Sequence, residues 1–249
     1  MGERLSIPGP VLLVVAVPAE LRGTALAGSL EELERTSPSW PLVHVNGGVW
    51  ATVSGVGRAN AAAATALALA RERFAAVINV GIAGSLPGSG LTIGQCVVAT
   101  ECVFFEEGMA TSEAGGWRGM EALGFSLRGG RIGREQSTAN HNAIPTDAAL
   151  GKTLLEICGR GAAGGTIATV ACCSGTDAAA AEVVRRTGAM AEAMEGAAVA
   201  LAATRMGVPV AEVRIISNTC GERAKQKWDL STAFARLEDA VRGIVHAAG

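Results

Sequence analysis

The sequence predicts a single α/β domain over residues 1–249, with a mixed central sheet layered between helices as α/β/α. Three observations predict it: branched apolar runs alternate with alanine-rich segments, no linker interrupts them, and polar residues gather where the apolar runs stop. With 249 residues, 49% of them hydrophobic, the chain can bury a sizeable core as one domain. Strands joined by helices imply right-handed crossovers and a sheet covered on both faces.

Residues 11–17 form a branched apolar run stopped by Pro18, too short to span a membrane, and read as the first core strand. Helix formers follow over 19–33, with Glu31, Glu32 and Glu34 on a solvated face. Residues 44–54 read as two short strands turning at Asn46-Gly-Gly48, a turn that needs positive φ. An alanine-rich helix covers 60–73. Residues 75–80 are a buried strand emptying into the loop Gly81-Ile-Ala-Gly-Ser-Leu-Pro-Gly-Ser-Gly90, whose small residues let backbone approach a ligand.

A further strand covers 95–105. Residues 106–141, rich in Gly and charge with weak periodicity, are expected to form a long, partly mobile excursion. Residues 145–160 read as helix and 165–173 as strand, and 177–186 as a helix started by the Ser174-Gly-Thr-Asp177 turn. A strand ending at Met194-Glu195, a crossover helix over 196–206 and a strand ending at Ser217-Asn218 repeat the pattern. Residues 230–247 close the chain as an amphipathic helix with Leu237, Val241 and Val245 on one face.

A net charge of -2 without Lys/Arg runs argues against a nucleic-acid footprint or a basic membrane face, so the expected partner is a small molecule. Six cysteines without zinc-site or disulfide-scaffold spacing read as free, buried thiols in a reducing cytoplasm. The vicinal pair Cys172-Cys173 reads as packed at a strand end. His44, His141 and His246 form no close motif, and neither a metal nor a cofactor is expected.

The chemistry concentrates at strand ends, where open α/β sheets bind ligands. Glu195 and Arg214 interrupt apolar runs and must either pair with each other or hold a ligand, because buried charge is costly unpaired. Glu20 follows the first strand, where it serves either as an ordinary first-turn helix carboxylate or as a base.

Met194-Glu-Gly-Ala-Ala198 and Arg214-Ile-Ile-Ser-Asn218 resemble matching blocks of the nucleoside phosphorylase and nucleosidase superfamily. Val14-Val-Ala-Val-Pro-Ala-Glu20, Ser54-Gly-Val-Gly-Arg-Ala-Asn60 and Ile78-Asn-Val-Gly-Ile-Ala-Gly84 extend the resemblance over most of the chain. Within that superfamily the chain looks most like the futalosine hydrolases. The resemblance implies N-glycosidic cleavage of a nucleoside in a homodimer or larger assembly. It implies that Glu20 activates water, Arg214 organises the carboxylates, Glu195 takes the ribose hydroxyls, and Met194 walls the sugar. Ala83 and Gly84 would contribute backbone beside sugar and base. Gly55-Val-Gly57 is weak evidence of anything but a turn, and Arg58 either caps that loop or meets solvent.

Ser217-Asn218 departs from adenine-specific nucleosidases, whose matching residue is an Asp able to protonate the purine. An amide donates to a carbonyl and accepts from a protonated ring nitrogen, so the expected base is the 6-oxopurine hypoxanthine. Without an acid at 218, the base leaves as a hydrogen-bonded anion or is reached by Asp177, Glu222 or Asp229. For the benzoate-bearing extension of futalosine, Phe104, Phe105 and Trp228 are candidate walls and Arg223 and Lys225 candidate cations, each also readable as part of a solvated turn. The competing readings are a methylthioadenosine or adenosylhomocysteine nucleosidase, a purine nucleoside phosphorylase, and a non-catalytic nucleoside-binding module.

Overall fold

The computed structural model describes residues 5–21, 24, 40–112, 116–129 and 140–249. Strand β1 (Val11–Val15) is buried at every position, as a strand covered on both faces must be. A single 3-10 turn (Pro18–Leu21) follows it; the rest of the helix expected over 19–33 lies almost wholly outside the described residues. The hairpin of β2 (Leu42–Asn46) and β3 (Val49–Val53) turns at Gly47 with φ +51°, as its Asn-Gly-Gly sequence predicts. Helix α1 (Arg58–Arg71) leads into β4 (Ala76–Ser85).

Strand β4 corrects one expectation. It does not end at Val80 but runs through the small residues to Ser85, because residues 81–85 pair with β11 (Val210–Thr219) and residues 84–85 also with β10 (Ala191–Ala193). The missing side chains there make room for neighbours' side chains as well as for a ligand.

Strand β5 (Cys96–Phe104) is followed by the minor hairpin β6 (Met109–Ala110) and β7 (Trp117–Arg118), and by a 3-10 turn (Met120–Leu123), so the described part of the 106–141 excursion carries structure. Pro145 closes β8 (Ala143–Pro145) rather than opening a helix; helix α2 (Ala148–Cys158) starts after Asp147, whose side chain caps Leu150 N. Strand β9 (Ala163–Thr169) stops before Cys172 and Cys173, which are exposed in the following loop, not packed at a strand end. Of the six thiols, Cys96 and Cys102 alone are fully buried. Helix α3 (Asp177–Thr187) is capped by Thr176, helix α4 (Gly196–Arg205) follows β10, and α5 (Leu230–Ala248) ends the chain.

The main sheet has the order β10-β9-β5-β11-β4-β1-β3-β2, with β8 beside β5. It is mixed: β1, β3, β4 and β11 run parallel, while β5 is antiparallel to β11. Strand β10 pairs with β9 and with β4, closing one end of the sheet on itself. One face, with Leu13, Ile78, Val213 and Ile215, packs on Leu154 of α2 and Leu237, Val241 and Ile244 of α5. The other, with Leu12, Val14, Val77 and Ile216, packs on Ala61 and Ala68 of α1 and the alanines of α4. Each fully buried Leu, Val or Ile contributes about 1.5–3 kcal/mol. No described helix is long and apolar enough to cross a membrane.

Candidate active site

Strand alternation puts Glu212, Arg214 and Ile216 of β11 on the face toward α4. Arg214 is 1% exposed and cannot be solvated, so its guanidinium is satisfied by protein: Nε donates to Glu212 Oε1 at 2.7 Å, Nη2 to Glu195 Oε2 at 3.2 Å and to Asn79 Oδ1, and Nη1 to the Ile82 carbonyl at 3.4 Å. Asn79 is fixed in turn by donating to the Val14 carbonyl at 2.9 Å. The pairing of Glu195 with Arg214 fits both readings of the sequence, and the third carboxylate, Glu212, was not anticipated. Its signal was present: a charge two residues before Arg214 in the same apolar run must share its face.

Glu20 completes the cluster. Its Oε2 accepts from the backbone of Ala16 at 2.8 Å and Val17 at 3.2 Å, and its Oε1 from Ile82 N at 3.3 Å. Its carboxyl and the Arg214 guanidinium both stand over Gly81, where a methyl group would collide with both side chains. Burial pushes the Glu20 carboxyl above the usual glutamate range; Arg214 and the backbone donors pull it down without cancelling that, and Glu195 raises it further. A carboxyl so raised is nearer the basicity that proton abstraction from water requires.

Glu195 occupies the position before α4 without capping it. Its Oε1 instead accepts from Gly57 N at 3.0 Å. Gly55 and Gly57 have φ +81° and +96°, so the glycines of this turn are needed to aim an N–H at the carboxylate. Arg58 neither caps the loop nor meets solvent alone: it pairs with Glu106 at 3.1 Å and Glu107 at 2.7 Å. Met194 is partly buried beside Glu195 and packs on the cluster under α3.

A bulge between Ile216 and Asn218 sets the other end of the site. It inserts Ser217 and brings Asn218, not Ser217, into register with Gly84. Asn218 Nδ2 donates to the Thr219 carbonyl at 3.2 Å, and its Oδ1 is 2.8 Å from the Ser217 hydroxyl. A carbonyl only accepts, so the amide orientation is fixed and Ser217, also 3.2 Å from the Ala83 carbonyl, gives its proton to Oδ1. One Nδ2 proton is left over. Nδ2 overhangs Gly84, 3.0 Å from where a Cβ would stand. Beyond Asn218, Trp228 bridges to its backbone and is 47% exposed.

The remaining predicted residues divide. Arg223 lies over Trp228 with its carbon 4.8 Å from the ring centroid, and both bond to Gln226 Oε1, at 2.8 and 3.0 Å. Phe104 is buried in the core and offers no wall, and Phe105 is covered by the Arg186 guanidinium at 4.0 Å. Asp229 caps α5 through Thr232, which holds its carboxyl below the usual range, and Asp177 accepts from Glu222 N at 2.9 Å. Glu192, 5% exposed, was also not anticipated; it accepts from Ser174 N at 2.8 Å and Ser174 Oγ at 2.6 Å.

One end of the sheet thus carries a raised carboxyl beside a fixed cation, a second carboxylate held by Gly57, and an oriented amide, groups with the chemistry to take a proton, to accept from hydroxyls and to donate one hydrogen bond. The family model described as the phosphorylase superfamily matches residues 10–247. A futalosine hydrolase of Acidothermus cellulolyticus is 38% identical over 230 residues, 92% of this chain and 87% of that protein. A futalosine hydrolase of Streptomyces coelicolor is 34% identical over 237 residues, 93% of each chain. Among solved structures, the 5′-methylthioadenosine/S-adenosylhomocysteine nucleosidase of Neisseria meningitidis, in complex with methylthio-immucillin-A, has a TM-score of 0.69 at 22% identity, covering 95% of this chain and 98% of that one. That likeness is one of fold.

Proposed function

This chain belongs to the phosphorylase superfamily, and on that premise we propose that it is a futalosine hydrolase, cleaving the N-glycosidic bond of futalosine with water to give hypoxanthine and dehypoxanthine futalosine in menaquinone biosynthesis. The names and near-complete overlap of its relatives support the substrate. The observation that carries the reaction type is Glu20, a buried carboxyl raised above the usual glutamate range by desolvation and standing over Gly81 beside Arg214.

In this reading Glu20 takes a proton from water as the bond between the sugar C1′ and the purine nitrogen breaks. The water oxygen bonds to C1′, and the bond's electron pair leaves with the base. Glu195, held by Gly57 and Arg214, accepts from the ribose hydroxyls and steadies the positive sugar. Met194 packs against the sugar, with Ala83 and Gly84 as backbone floor. The free Nδ2 proton of Asn218 binds the departing base, which leaves as an anion and is protonated afterwards. Arg223 and Trp228, exposed just beyond Asn218, receive the benzoate-bearing extension.

Phosphorolysis would use the same sugar and base contacts, but a carboxylate beside the attacking group repels phosphate and suits water. Purified protein is incubated with futalosine with and without phosphate: equal hypoxanthine release is expected, and strict phosphate dependence would refute hydrolysis. Faster cleavage of methylthioadenosine than of futalosine would move the chain to the nucleosidases, and binding without turnover would make it a sensor. We further propose a cytoplasmic homo-oligomer acting on a small molecule, not on nucleic acid or membrane; a monomer in sedimentation would refute the oligomer.

A further inference from the structure

We infer that Glu192 is a specificity-determining residue: with Asn218 it reads the ring nitrogen and oxygen of a 6-oxopurine and rejects 6-aminopurines. The inference rests on the reading of the site as one that binds a purine nucleoside.

Register places the two side chains together. Gly84 pairs with Asn218 of β11 on one side and with Glu192 of β10 on the other. Residues in register project from the same face, so the two side chains rise on either side of a residue that has none. Their backbones are two strand spacings apart, about 10 Å, with the Cys220 sulfur over the side-chain-free Gly84 between them. The sheet closure by β10 and the bulge at Ser217 are both required for this arrangement; either one missing would turn a side chain away.

Chemistry then makes the pair selective. The spare proton of Asn218 Nδ2 presents a donor, while an ionised carboxylate only accepts. The edge of a 6-oxopurine offers the complement, a carbonyl oxygen beside an N1–H donor. A 6-aminopurine offers an amino donor beside a bare N1 acceptor and is mismatched at both places. Glu192 has room for this bond: a carboxylate has about four acceptor positions, and Ser174 N–H and Ser174 O–H take two. The Cys220 sulfur stands over Gly84, 2.6 Å from where a Cβ would be, and so lines the space between the two side chains.

The test is Glu192→Gln, which can keep both Ser174 contacts, accepting from the backbone N–H and donating to the hydroxyl. With futalosine, kcat/KM should fall by about 10–100-fold, the loss expected for a hydrogen bond to a charged group. With the 6-amino analogue it should hold or rise, because Gln can donate to N1. Parallel losses on both substrates, or no loss on futalosine, would overturn the assignment and leave Glu192 an anchor for the Ser174 turn. Ser174→Ala, which weakens that anchor alone, should leave the substrate ratio unchanged; a ratio shifted as in Glu192→Gln would equally overturn it. Should Glu192→Gln not fold, product inhibition of the parent enzyme decides: hypoxanthine should bind at least 10-fold tighter than 1-methylhypoxanthine, and equal binding refutes the N1–H contact. If the parent protein cleaves neither nucleoside, it is the purine-nucleoside reading itself that fails.

Discussion

Glu212 holds Arg214 from two residues away on the same strand, at 2.7 Å and with both side chains 1% exposed. Its other oxygen is 3.0 Å from the Cys102 thiol, and its carboxylate fills the space in which Gly196 has no side chain. Truncating it leaves a cation buried without its nearest counter-charge. Glu212→Ala should lower unfolding stability by about 3–5 kcal/mol, read from urea denaturation. A loss below about 1 kcal/mol would mean that Glu195 and Asn79 suffice to hold the arginine.

Glu20 sets the pH dependence. As the base it must be ionised, so kcat/KM should rise with pH through a midpoint above the ordinary glutamate value, because burial raises the carboxyl. Its effect on stability has the opposite sign. A carboxyl raised on folding contributes stability that is full below its unfolded pKa and is lost as pH rises through the folded one. Glu20→Gln should lower kcat by about 100–10,000-fold and remove that particular fall in melting temperature. A Gln variant with near-parental turnover would exclude Glu20 as the base.

Gly81 is required by the two side chains above it. In Gly81→Ala the methyl would meet Arg214 and Glu20 together, in a cluster with no solvent to move into. Activity should fall by at least about 10-fold and stability by about 1–3 kcal/mol, measured by steady-state kinetics and thermal melting. An Ala variant with parental kinetics would mean that the placement of the two side chains over Gly81 is not needed for turnover.

Asn218→Ala removes the donor offered to the base. Hydrolysis of a 6-oxopurine nucleoside should slow by about 10–100-fold while the melting temperature changes little. Unchanged hydrolysis would make Asn218 structural and remove the ground for hypoxanthine.

Arg223→Ala should raise KM for futalosine by about 10-fold and leave inosine unaffected, because inosine lacks the carboxylate that the arginine would meet. Equal effects on both substrates would place the extension elsewhere.

The elements differ in how legible they were. Strands β1 and β5, the β2–β3 hairpin and helix α5 followed from local pattern, since burial on two faces, an Asn-Gly-Gly turn and helical spacing each leave a short-range signature. Strand β4 was cut short because Gly81, Ala83 and Gly84 look like a loop until β10 and β11 flank them. Likewise, nothing near Gly57 in sequence announces Glu195, its partner 138 residues away.

The sequence by itself determined the residue types that must meet: buried charges that cannot stay unpaired, polar strand ends, and an amide at the end of an apolar strand. Only the tertiary structure decided which atoms meet. Strand register, the bulge at Ser217 and the closure by β10 are long-range pairings, and a shift of one residue in any of them turns a side chain to the opposite face.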